Sequence, residues 1–197
     1  MRSPLPLARR ADIVLEGYTR GVFPMGEGEG IAFYTADPRS ILPLDGCRFP
    51  RRLLRTVRQG RFEIRINGAF SQVIRGCARR SSTWINRPVI EIYEELHRRG
   101  AAHSVEAWQG GRLAGGLYGV ALGGAFFGES MFYEVPDASK VCLVHLVERL
   151  RERGYVLLDC QQQTANLARF GAILIPACDY LDRLRQALQL EHVRFLG

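Results

Sequence analysis

Apolar positions along the first 80 residues recur in short, changing periods. From Asp12 to Arg20 the residues Ile13, Val14, Leu15 and Tyr18 follow helical spacing, and Gly21 stops the run. Gly21 to Met25 reads as a turn, and Gly26 to Gly30 as a polar, glycine-rich loop. Ile31–Tyr34 and Ser40–Leu44 read as short extended pieces parted by Asp37-Pro38-Arg39. Arginines then crowd one stretch: Arg48, Arg51, Arg52, Arg55, Arg58 and Arg61. On a helix, Arg51, Arg55 and Arg58 share a face. Phe62–Ile66 alternates like a half-buried strand, and Ala69–Arg79 reads as a helix with Phe70, Val73, Ile74 and Cys77 inward.

A second unit opens near Thr83-Trp84-Ile85. Asn86–Arg98 predicts an amphipathic helix with Val89, Ile92, Tyr93 and Leu96 on its apolar side and Gly100 at its end. Three strands follow, Ala102–Gln109, Arg112–Leu122 and Ala125–Tyr133, the first two joined by a Gly110-Gly111 hairpin turn. Ser139–Arg153 is a helix apolar on most sides, and Tyr155–Asp159 a buried strand. Thr164–Phe170 is a short helix, Ala172–Ile175 a strand, and Asp179–Leu188 the last helix. An antiparallel meander followed by helical crossovers predicts a mixed α/β fold. The expected organisation is a small N-terminal α+β lobe over residues 1–82 and an acyltransferase-type domain with a mixed sheet over residues 83–197.

Composition narrows the class. With 47% apolar and 24% charged residues the chain is of ordinary globular type. No run approaches the ~20 apolar residues of a membrane span. Met1 to Arg10 carries arginines without an apolar core, so no signal peptide is expected. The net charge of +7 comes almost wholly from arginine, which suits phosphate as well as solvent. The five cysteines, Cys47, Cys77, Cys142, Cys160 and Cys178, form no CxxC pair and no zinc pattern. They read as mostly core residues in a reducing cytoplasm.

Candidate chemistry is sparse. Gly115, Gly116 and Gly119 lie within a strand that another strand follows, so they are not a dinucleotide turn. They mark either a twisted, closely packed sheet or a ligand laid against it. His103, Ser104 and Glu106 do not form a triad, because alternation puts the histidine on the opposite face and there is no GxSxG elbow. Asp159 and Gln161, two apart at a strand end, are expected to face one cleft, with Cys160 turned away into packing. Glu129, inside an apolar strand, and Asp159 both need hydrogen-bond partners. Each is open to a structural and a catalytic reading, Glu129 as a cap or a partner of Lys140. Trp84 and Tyr34 could stack a base or simply pack.

Taken in order, these segments resemble a known family. Gly17-Tyr18-x-x-Gly21-x-Phe23-Pro24-Met25, Thr83-Trp84-Ile85, Ala102-His103-Ser104-Val105-Glu106-x-Trp108, Leu113-x-Gly115-Gly116-Leu117-Tyr118-Gly119, Phe127-Gly128-Glu129-Ser130-Met131-Phe132, Ala138-Ser139-Lys140 and Asp159-x-Gln161 resemble the leucyl/phenylalanyl-tRNA–protein transferases. The resemblance implies a GNAT-like catalytic domain without cofactor or metal. It implies transfer of Leu or Phe, and Met less well, from aminoacyl-tRNA to proteins with N-terminal Arg or Lys. That transfer marks them for N-degron degradation in the cytoplasm; a monomer with no membrane partner is expected. By matched position, Gln161 accepts a hydrogen bond from the attacking amine, Asp159 polarises that amide, and Glu129 orients the amine or ester. Leu117, Phe126, Gly128, Leu146 and Leu158 match the aminoacyl pocket, and Met25 and Trp84 the adenosine site. Arg51, Arg55 and Arg58 are the expected contact to the tRNA backbone. The chain departs from the family in having Asn166 where histidine is usual and Phe33-Tyr34-Thr35-Ala36 before Asp37-Pro38-Arg39. The alternatives are a GNAT-type acyltransferase with another donor, and a tRNA- or degron-binding module without catalysis.

Overall fold

Residues 102–133 form three consecutive antiparallel strands, and everything else packs around them. The computed structural model describes residues 5–80 and 82–197. The first four residues of the arginine-bearing N-terminus, and Ser81 beside the expected lobe boundary, lie outside the described residues. The chain begins with α1 (Leu7–Thr19), β1 (Phe23–Glu27), β2 (Gly30–Tyr34), β3 (Arg39–Ile41), α2 (Arg51–Arg58), β4 (Glu63–Ile66) and α3 (Phe70–Ala78). It continues with α4 (Arg87–Arg98), β5 (Ala102–Gln109), β6 (Arg112–Leu122) and β7 (Ala125–Tyr133). It ends with α5 (Ala138–Glu152), β8 (Leu157–Gln161), α6 (Ala165–Arg169), β9 (Ile173–Ile175) and α7 (Ala177–Leu188).

Seven strands form one sheet in the order β4-β5-β6-β7-β8-β3-β9, all neighbours antiparallel except β7 and β8. The fold is therefore mixed α/β, as the pattern predicts. The sheet draws β3 and β4 from before residue 82 and its other five strands from after it. One correction concerns Gly21 to Gly30. Gly21 is a turn residue and Gly28-Glu29 the tip, but Phe23–Glu27 is a strand of a separate two-stranded hairpin, with Phe23 opposite Tyr34 and Glu27 opposite Gly30. Its strands are too short, and one begins Phe-Pro, for alternation to be legible.

The sheet buries both faces. Leu117 and Phe126 point to one side, where α5 contributes Val144, Leu146 and Val147. Tyr118 and Phe127 point to the other, against Tyr18 of α1, Val73 and Ile74 of α3, and Val89 and Ile92 of α4. Each fully buried side chain of this kind is worth about 1.5–3 kcal/mol relative to exposure. The strand glycines serve this packing. A Cβ on Gly119 would sit 2.3 Å from the Phe127 carbonyl, at the point where the β6–β7 register shifts. Among the described residues no helix is long and apolar enough to cross a membrane.

The parallel pairing of β7 with β8 is brief. It links Ala125 with Leu157, Phe126 with Leu158 and Phe127 with Asp159, and then stops. Both strands run on, to Tyr133 and Gln161. The space opened between them is the start of a cleft.

Candidate active site

The cleft holds about 390 Å³. Met25, Trp84, Leu117, Gly128, Glu129, Leu146, Leu158 and Gln161, all singled out from sequence, line it together. Its apolar end is completed by Met131, Leu143 and Phe170. Leu143 lies one helical turn from Leu146 on α5, so helical spacing alone could have found it. Arg80, Gln162, Thr164 and Asn166 give one part of the wall a polar edge.

Two expected residues are placed elsewhere. Phe126 is fully buried beneath the cleft, stacked on Phe195 at 5.3 Å and edge-on to Tyr155. Asp159 is also fully buried and does not line the wall. Its carboxylate accepts from Arg39 Nε at 2.9 Å, Arg39 Nη2 at 2.6 Å, the Tyr180 hydroxyl at 2.9 Å and the Gln161 backbone N–H at 2.9 Å. Arg39 is equally buried. It donates to the Gly21 carbonyl and lies between the rings of Phe23 and Tyr180, 4.8 and 4.4 Å from their centroids. A pair this enclosed persists because every charged oxygen has a donor.

Gln161 shows how Asp159 reaches the cleft. Its φ of 55° is left-handed, unusual for a residue with a side chain. The carboxylate holds that backbone N–H, and the turn ends the strand period. Gln161 therefore enters the cleft alongside Cys160, rather than on the far side from it as alternation predicts. Turned to satisfy the carbonyls around it, the Gln161 amide nitrogen donates to Gly128 O at 2.9 Å and Cys160 O at 3.1 Å. Its oxygen, an acceptor only, is then the end turned away from those carbonyls. The contact between Asp159 and Gln161 is thus made at the backbone N–H. Burial pushes the Cys160 thiol well above its usual range, so it is a poor nucleophile.

Glu129 projects from β7 onto two phenols. It accepts from Tyr18 at 2.6 Å and Tyr93 at 2.9 Å, and the two hydroxyls also touch each other. Lys140 pairs with Asp137 instead, so Glu129 is not its partner. Burial pushes the Glu129 carboxyl up to about 7; the two phenols and Arg39 pull it down, and Asp159 adds to the rise. Because the folded value lies above the ordinary 4.5, the folded state binds the extra proton. This contribution to stability is complete below about pH 4.5 and is lost as the pH rises through about 7. Glu129→Gln should abolish that slope. Urea midpoints from pH 5 to 8 should show the variant gaining on the native protein as pH rises; parallel curves would contradict the assignment.

The remaining candidates do not line the cleft. His103 contacts Asn67 at 3.0 Å and stacks on Phe195, while Ser104 Oγ donates to Glu106 at 2.7 Å and Glu106 accepts from the Ala69 N–H. Tyr34 is partly exposed, 6.5 Å from the ring of Phe23. Arg51, Arg55 and Arg58 gather with Arg52 on one face of α2. Phe49, just before α2, packs on Phe170 of the cleft at 5.4 Å.

The cleft thus brings an anchored amide, a carboxyl raised by burial and an apolar pocket together. A family profile described as leucyl/phenylalanyl-tRNA protein transferase matches residues 41–185. A leucyl/phenylalanyl-tRNA–protein transferase of Rubrobacter xylanophilus is 58% identical over 182 residues, 91% of this chain and 95% of that protein. One from Gloeobacter violaceus is 54% identical over 181 residues, 91% of this chain and 94% of that protein. The chain belongs to the leucyl/phenylalanyl-tRNA–protein transferase family and is an aminoacyltransferase. Among solved structures, a GCN5-related N-acetyltransferase-like protein from Streptococcus suis aligns with a TM-score of 0.41 at 16% identity, over 84% of this chain and 64% of that one. That likeness is too distant to bear on the chemistry.

Proposed function

We propose that this protein moves Leu or Phe, and Met less well, from aminoacyl-tRNA to the N-terminal Arg or Lys of acceptor proteins. The observation that carries the reading is the anchored Gln161 amide, whose oxygen is left to accept from an amine beside an apolar pocket. The acceptor's α-amine, with a pKa of about 7.7–8.0, is partly neutral near pH 7. Its nitrogen attacks the ester carbonyl, the carbonyl–ribose C–O bond breaks, and the amine proton ends on the released ribose oxygen. Gln161 aligns the amine, and Asp159 holds Gln161. Glu129, when ionised, adds negative potential that favours a cationic acceptor. Positioning of this kind can supply ~7–11 kcal/mol in good cases.

In this reading Leu117, Leu146 and Leu158 receive the aminoacyl side chain, and Met25 and Trp84 flank the terminal adenosine. Phe126 supports that pocket from beneath. Residues 1–82 supply the arginine face and part of the wall, and residues 83–197 the transfer chemistry. The protein acts as a cytoplasmic monomer, and its product is a degradation mark. The test is transfer of labelled Leu, Phe and Met from charged tRNA to peptides beginning with Arg, Lys, Asp or Ala. Transfer of Leu or Phe to Arg and Lys alone is expected. Replacing Arg51, Arg55 and Arg58 by Gln should raise KM for charged tRNA and flatten its salt dependence. Transfer to Asp would overturn the acceptor, and binding without transfer would favour a non-catalytic module.

A further inference from the structure

Two walls of the cleft come from distant parts of the chain. Met25 belongs to the β1–β2 hairpin, and Trp84 to the segment leading into α4. Asn86 joins them. Its Oδ1 accepts from the Val89 N–H at 3.0 Å and so caps α4. Its Nδ2 faces the other way and donates to the carbonyls of Gly28 (3.1 Å) and Gly30 (2.7 Å) at the hairpin tip. Between these contacts the Gly26 N–H donates to the Trp84 carbonyl at 2.9 Å. The approach is close: a Cβ on Gly26 would lie 2.3 Å from that carbonyl and 2.6 Å from the Asn86 amide carbon.

A cap alone needs only an oxygen. Serine, threonine or aspartate would serve α4 equally well. The Asn86 amide supplies in addition the two donations that fasten the hairpin. An isolated two-stranded hairpin is marginal at best, so this one depends on such attachment to hold Met25 in place.

We propose that Asn86 is a positioning residue for the nucleoside end of the donor. It locks the hairpin to the start of α4 so that Met25 and Trp84 present one rigid wall. The inference rests on the function proposed above for its substrate, and on the hydrogen bonds alone for its mechanics. A wall formed before binding spares the cost of ordering it on binding, so its loss should appear in KM rather than in kcat.

Asn86→Asp separates cap from clamp. The carboxylate still accepts from Val89 but cannot donate to Gly28 or Gly30. Asn86→Ala loses both roles. Hydrogen exchange and transfer kinetics on the full chain make the test. In Asn86→Asp the Gly26 amide should exchange at least tenfold faster while the α4 amides and Tm stay near native values. KM for Leu-tRNA should rise by about tenfold, a typical effect of losing one to two oriented contacts, with kcat within twofold. Asn86→Ala should reproduce that KM and also lower Tm. Unchanged Gly26 exchange in Asn86→Asp would overturn the clamp. Faster exchange with native KM would overturn the positioning role. If the unaltered protein transfers nothing, the proposed function and the positioning role both fail, and the exchange data alone judge the clamp.

Discussion

Arg39→Met is expected to destabilise the protein by about 3–5 kcal/mol, because it leaves the Asp159 carboxylate buried without its countercharge. Four hydrogen bonds converge on that carboxylate, two of them from Arg39. The survivors, from Tyr180 and the Gln161 backbone, do not neutralise it. The consequence extends to β1, since Arg39 also fastens the Gly21 carbonyl and fills the space between Phe23 and Tyr180. Urea unfolding measures the loss. The double variant Arg39→Met, Asp159→Leu should recover much of it, because removing both charges together avoids the unpaired state. It should not recover transfer, because the Gln161 backbone N–H then has no acceptor. A single variant costing less than about 1 kcal/mol would show that Asp159 is free to become neutral or to find water.

The largest effect on chemistry is expected at Gln161. Gln161→Ala should lower kcat for Leu transfer by about 10²-fold, the scale seen when one pre-organised polar group is lost from a reacting centre. KM for charged tRNA should change little. Alanine at a left-handed φ of 55° is itself strained, so the variant could lose activity through misfolding. Gln161→Gly avoids that objection, since glycine adopts this conformation freely. It should be at least as stable as the alanine variant and equally inactive. Native kcat in the glycine variant would remove Gln161 from the mechanism.

Much of the fold is legible in the chain. β5, β6 and β7 have the bounds read from sequence, because the Gly110-Gly111 and Gly123-Gly124 pairs mark the turns between them directly. The pocket residues Leu117, Leu146 and Leu158 were accessible through family resemblance and they do share one cleft. What was illegible depends on partners far apart in the chain. Arg39 stands 120 positions from Asp159, and Tyr18 111 positions from Glu129. No local period marks such pairs. In sequence Arg39 reads as part of a Pro-Arg turn, and Tyr18 and Tyr93 as ordinary apolar-face residues of helices. Phe126 illustrates a different limit. It pairs in register with Leu158, yet the tail residue Phe195 covers the side on which it packs. Register fixes a neighbour but not whether the space beside it is filled.

The early parting of β7 from β8 has a consequence of its own. Past Phe127 and Asp159 the ladder is abandoned, so carbonyls that an uninterrupted sheet would have committed to a neighbouring strand become available. Gly128 supplies one of them, and the Gln161 amide is what it holds. The Gln161 amide is thus anchored by the sheet's own unfinished seam. Zipping that seam shut by two more residues would strengthen the sheet and erase the cleft in the same act. Selection for greater rigidity at this place should therefore run against turnover, and stabilising substitutions are best sought away from it.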